Sequence, residues 1–174
     1  MLYHASSEAG LRLLEPHIST HGKAYVYAIN NKITALCFGA PKDDFDLLID
    51  EIEGVTHLYE CYPNALEKIY GKKICSLYEV DEEGFLCGKT GWDAELVCEE
   101  TVPVLQEERI SDIYTYLVSA ARRGECVIHL YSDNQEYQSM LRDELGERIK
   151  DFGLSAEAVK QDARIKAIFK DVLS

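Results

Sequence analysis

The chain has 174 residues, 47% of them hydrophobic, which is enough to bury one full core or one core with a helical extension. Its net charge is -13, and residues 1 to 105 hold 8 basic and 18 acidic side chains against 10 and 13 in the remainder. That balance argues against recognition of a nucleic-acid backbone or an anionic membrane surface, both of which need basic patches, and suits a well-solvated surface or a basic protein partner.

Met1 to His4 reads as a first strand, with Leu2 and His4 on one face and Tyr3 on the other. Leu11, Leu13 and Leu14, ahead of Pro16, suggest an amphipathic turn or short helix. The stretch His21 to Phe38 is the most structured in appearance. Tyr25, Tyr27 and Ile29 alternate with Val26 and Ala28 as in a strand, Asn30-Asn31 breaks it, and Thr34, Ala35 and Phe38 follow at helical spacing. Pro41 and Asp43 introduce a predicted helix with Phe45, Leu48, Ile49 and Ile52 inward, stopped at Gly54.

A strand is predicted over Val55 to Tyr62, a short helix over Pro63 to Tyr70, and a strand over Lys73 to Val80. The turn Asp81 to Gly84 leads into Phe85-Leu86-Cys87 as a hairpin. Gly88 to Gly91 forms a loop, Trp92 to Cys98 another strand, and Val102 to Leu105 extends the sheet. Ser111 is the predicted cap of a helix with Ile113, Tyr116, Leu117, Ala120 and Ala121 inward, and Cys126 to Tyr131 is a further strand. Two helices close the chain, one over Asn134 to Phe152 and one capped by Ser155 with Ile165, Ile168, Phe169 and Val172 inward. Strands gathered in residues 1 to 105, without βαβ alternation, predict an α+β fold, with a mostly helical extension over 106 to 174 packed on the same domain.

The six cysteines are widely spaced with no CxxC pair, so they are expected to be buried thiols in a reducing compartment. The start MLYHASS has no basic and apolar leader, and no run of 18 apolar residues occurs, so a cytoplasmic protein is expected. No GxGxxG or phosphate-cradling lysine loop is present, which leaves Rossmann and P-loop readings without support.

Three elements carry candidate chemistry. His4 stands in the first strand and is followed by Ala5-Ser6. Tyr27 ends the second strong strand, and Phe38 follows it by 11 positions, so the two rings are candidates for the walls of a slot that takes a flat guest. Glu95 is a carboxylate in an apolar strand just after Trp92, and it faces either solvent at an edge or a cleft that uses its charge; Glu99, on the same face, competes with it. Each residue taken singly is also an ordinary structural or surface residue. His57 and Cys61, or His17 and His21, would pair as metal ligands on a helix, but these segments read as strand and loop, so no metal site is expected.

In this order, Tyr3-His4-Ala5-Ser6, Tyr27 with Phe38, and Glu95-Leu96-Val97 resemble the diphtheria-toxin and poly(ADP-ribose)-polymerase branch of the ADP-ribosyltransferase fold. That branch has an aromatic-His-Gly-Ser/Thr first strand, a tyrosine ending the second with another aromatic 11 positions on, and a glutamate opening a late strand. Ala5 stands in the glycine position and Phe38 in that of the more usual tyrosine. Asp93 sits where the arginine-modifying branch carries an acceptor-selecting acid, though that branch lacks the first-strand histidine. The resemblance covers residues 1 to about 105 and implies a split antiparallel sheet that binds NAD as substrate. It implies that His4 holds a ribose hydroxyl, that the backbone at Ala5 and Ser6 holds the carboxamide, that Tyr27 and Phe38 sandwich the nicotinamide, and that Glu95 stabilises the ribosyl cation. The expected activity is cleavage of the nicotinamide-ribose bond with transfer of ADP-ribose to a macromolecule or small molecule. The alternatives are a catalytically silent interaction module of the same fold and a structural protein whose acidic part docks a basic surface.

Overall fold

A computed structural model describes residues 1–18 and 22–169. His21 and Val172 therefore lie outside the described residues. The chain opens with β1 (Leu2–Ser6), β2 (Leu13–Leu14), β3 (His17–Ile18), β4 (Ala24–Ile29) and α1 (Lys32–Leu36). The middle holds β5 (Leu47–Ile52), β6 (Val55–Glu60), α2 (Ala65–Tyr70), β7 (Cys75–Val80), β8 (Glu95–Cys98) and β9 (Val102–Ile110). It ends with α3 (Ile113–Arg122), β10 (Cys126–His129), α4 (Gln135–Asp151), α5 (Ala156–Gln161) and α6 (Ala163–Ile168).

The architecture is mixed α+β, with two sheets. In the larger, the order β2-β9-β7-β1-β4-β3 is antiparallel throughout, and β8 also pairs with β4. The smaller has the order β10-β6-β5, where β5 and β6 are antiparallel and β10 runs parallel to β6. β9 spans residue 105, and α3 and β10 complete the same core and the smaller sheet, so the strands are not confined to the first 105 residues.

The two faces of the larger sheet carry different clusters, as strand alternation requires. Leu2, Val26, Ala28, Tyr78 and Val80 pack on one side. Tyr3, Ala5, Ile29 and Leu77 pack on the other with Ala35 of α1 and with Trp92. The smaller sheet buries Leu47 and Leu58 against α1, α2 and α3 on one face, and Leu48 against α4, α5 and α6 on the other. Among the described residues, no helix is long and apolar enough to cross a membrane.

Several local predictions are corrected. The segment introduced by Pro41 and Asp43 ends in a strand, β5, not a helix. Leu47 and Leu48 are both buried, each on a different face, so the sheet lacks the apolar-polar alternation that marks a half-exposed strand and its spacing imitates a helix. The hairpin to β6 turns on Glu53 (φ 52°) and Gly54 (φ 79°), between the paired Ile52 and Val55. Two consecutive left-handed residues give the turn whose twist matches antiparallel strands.

The stretch Leu11 to Pro16 holds the two-residue strand β2, because Leu13 and Leu14 find ladder partners in Pro103 and Val102. Leu86 makes one bridge with Val97 in place of the predicted hairpin strand. Asp112, not Ser111, caps α3, its carboxylate accepting the Thr115 N–H at 3.0 Å. The last predicted helix is divided: Asp162 ends α5 and caps α6, accepting the Arg164 N–H at 2.9 Å. Cys87 is exposed, which corrects the expectation that all six thiols are buried.

Candidate functional site

The larger sheet parts between β1 and β4. β1 pairs with β7 over five residues, from Leu2↔Val80 to Ser6↔Ser76, but with β4 only at Tyr3↔Ile29. Ile29 also pairs with Glu95, so β1 and β8 lie on opposite edges of β4. Beyond Tyr3 the two central strands diverge, and the edge of β4 facing β1 is left without a continuous ladder. A parted sheet exposes backbone polar groups that need other partners.

His4 supplies one such partner. Its Nδ1 lies 2.8 Å from the Tyr27 carbonyl oxygen. A carbonyl only accepts, so Nδ1 carries the proton and donates, and in the neutral ring Nε2 is the bare acceptor. Strand alternation starts the His4 side chain on the face of Leu2; the opening lets it reach the edge of β4. The ring also lies 6.5 Å from that of Tyr78, paired opposite it on β7. Burial pushes the His4 pKa below its usual value, with the neighbouring charge of His17 adding to the effect and the bond to Tyr27 opposing it.

Tyr27 is half-buried on the face that carries Ile29 and Glu95. Its ring meets Tyr25 edge-on at 5.9 Å and His17 at 6.2 Å. β3 places His17 there through the pairing His17↔Tyr25. Ala5 and Ser6 continue β1 along the opening, paired to Leu77 and Ser76.

Glu95 opens β8 opposite Ile29, while Tyr27 pairs with Val97, so the carboxylate stands one pleat from Tyr27 on the adjoining strand. The pleat rule gives Glu95 and Val97 one face, and Glu99 follows the end of β8. Glu99 is engaged elsewhere, with Lys23 Nζ at 2.5 Å on an exposed surface.

Phe38 follows the end of α1 and is 43% exposed. Its ring lies 5.7 Å from Trp92, tilted by 43°, and Lys42 Nζ stands 4.8 Å from its centroid. The helix reaches this position because Asn31 accepts the N–H groups of Ile33 and Thr34, a cap legible in Asn30-Asn31. Gly39 then lets the chain pass β7: a Cβ there would stand 2.7 Å from the Cys75 sulfur.

Sequence reasoning gave no role to His17 or Trp92. Trp92 had a usable signal, an aromatic three positions before Glu95; a two-residue strand gives His17 none. Among the described residues, no group of three or more His, Cys, Asp or Glu side chains converges in a way that would hold a metal ion. No protein-family model, curated protein or solved structure matches this chain.

Proposed function

We propose that this chain is an NAD-dependent ADP-ribosyltransferase-like protein, with a split-sheet core of that fold, in which β1, β4, α1 and β8 form the dinucleotide site. The observation that carries the reading is the parting of β1 from β4, bridged by His4 Nδ1 on the Tyr27 carbonyl, with Glu95 one pleat away across β4. An opening in a sheet, flanked by backbone groups and an aromatic ring, suits a flat amide-bearing ring.

The chemistry follows from NAD itself. The bond from ribose C1′ to the nicotinamide nitrogen breaks heterolytically; its electron pair neutralises the pyridinium, so the leaving group needs no proton. Positive charge develops on the ribose, as in glycoside cleavage. In this reading Glu95 offsets that charge from beside the ribose, and a nucleophile on the acceptor, or water, takes C1′ and loses its proton. Nε2 of His4 accepts a hydrogen bond from a ribose hydroxyl. Tyr27 and Phe38 flank the nicotinamide, and the backbone at Ala5 and Ser6 meets its carboxamide.

The test is NAD titration with two readouts, melting temperature and nicotinamide release, on wild type and Glu95→Gln. A ligand that prefers the folded state raises the melting temperature. Both proteins are expected to shift, with release from wild type only. Absence of both effects at millimolar NAD overturns the reading and leaves the interaction module of the same fold as its successor.

A further inference from the structure

The smaller sheet carries a second cluster of chemistry-bearing side chains, separate from the parted strands. β6 and β10 run parallel with His57 paired to Val127 and Tyr59 to His129. Side chains of paired residues share a face, so His57, Tyr59 and His129 stand together. His57 Nδ1 lies 3.0 Å from His129 Nε2. The His129 ring is held flat on that of Tyr59, with centroids 4.0 Å apart and planes 3° from parallel. Asp50 of β5 pairs directly with His57 and brings a carboxylate to the same face. The rings are half-buried, at the border between the apolar cover of α4 to α6 and the open end of the sheet, where Ile52 and Val127 are exposed.

We propose that His57 and His129 form a binding site for one divalent transition-metal ion of borderline softness, such as zinc or nickel. Imidazole nitrogens bind such ions at about 2.0 to 2.1 Å. Two of them on adjacent positions of one ion are then roughly 2.9 to 3.3 Å apart, depending on whether the angle is square or tetrahedral. The observed separation lies within that span, so the two nitrogens are already spaced as ligands of one ion. The stack on Tyr59 fixes one ring and lowers the ordering cost. Water fills the remaining positions, and Asp50 adds negative charge beside them. When the ion binds, the proton between the two facing nitrogens is taken up, through solvent, at the outer nitrogen of the ring that carried it, so both ligands are neutral imidazoles and no net proton is released. Spacing along the sequence hides this pair, because 72 residues separate its members.

The experiment is calorimetric titration of the whole chain with zinc chloride and, separately, nickel chloride, near pH 7.5. It is paired with NMR of the imidazole resonances, of which the chain has only five. One ion per chain is expected, with the His57 and His129 resonances perturbed and binding weakened at least ~10-fold in both His57→Gln and His129→Gln. The NMR readout uses wild type alone, so it stands even where a variant folds poorly. No saturable binding by about 1 mM metal overturns the proposal and leaves the pair as a structural hydrogen bond. Binding that perturbs His4, His17 or His21 and survives both substitutions also overturns it.

Discussion

His4 Nδ1 donates to the Tyr27 carbonyl at 2.8 Å across the line where β1 and β4 part, so one side chain replaces the backbone ladder there. The bond fixes the tautomer, and burial keeps the ring neutral below the pH at which an exposed histidine charges. Nitrogen NMR of the imidazole is expected to report the Nδ1–H form and a titration midpoint below 6.5. The sign for stability follows from linkage. The unfolded chain binds the proton more readily, so this contribution is fully present above the unfolded value and is lost as pH falls from about 6.5 through the lower folded value. His4→Ala is expected to flatten that part of the stability profile.

Glu95 opens β8 and Glu99 follows its last residue, Cys98. Glu95→Gln is expected to reduce nicotinamide release by at least ~100-fold with little change in NAD binding, since losing one charge-stabilising group costs a few kcal/mol at the transition state. Glu99→Gln removes an exposed pairing with Lys23 and is expected to leave release within about twofold of wild type. Steady-state release assays on the two variants decide between them.

The thiols are expected to divide sharply. Burial raises the pKa of Cys37 and of Cys61 to about 12 and that of Cys75 to about 11, so little thiolate is present near neutrality. Cys98 and Cys126 are also buried, and Cys87 alone is exposed. Intact mass after iodoacetamide treatment of the folded protein is expected to show a single adduct at Cys87, and all six after denaturation.

Asn31 joins the two sheets as well as capping α1. Its side-chain oxygen accepts from Ile33 N, Thr34 N and Thr56 Oγ1, and Thr56 Oγ1 lies 2.8 Å from Thr34 Oγ1. Asn31→Ala removes the cap and leaves buried hydroxyls with fewer partners, an expected loss of about 1 to 3 kcal/mol in urea unfolding. Asn31→Asp keeps the acceptor and is expected to lose less.

Arg164 fastens the C-terminal helices to the segment before β5. Its guanidinium meets Asp46 at 2.6 Å, Asp43 at 2.8 Å and Asp162 at 2.6 Å, and Asp46 is also held by Tyr62 at 2.9 Å. Arg164→Lys cannot reproduce three directed contacts from one planar group and is expected to cost about 1 kcal/mol after solvent screening. Hydrogen exchange is expected to rise in α5 and α6 and to stay unchanged in β1, β7 and β9.

Alternation and caps made much of the fold legible. β4, β6, β7 and β8 lie within the predicted segments because short runs of strand-forming residues there are bounded by turn residues, and Asn31, Asn134 and Ser155 cap helices where their types suggested. β5 was hidden because Phe45, Leu48, Ile49 and Ile52 fall at helical spacing. β2 and β3 were hidden because two residues carry no period. At the site, the sequence pattern named His4, Tyr27, Phe38 and Glu95, with Glu99 as the competitor of Glu95, and gave no place to Trp92 or His17.

The sequence by itself determined local periodicity, the caps, the acidic balance and the order of the candidate residues, since these depend on neighbours within a few positions. Tertiary structure alone decided where the sheet parts, that Glu99 pairs with Lys23, and which histidines meet. Those are pairings across 23, 76 and 72 positions. Their geometry depends on strand register, and register is set by the packing of whole faces, not by any residue read singly.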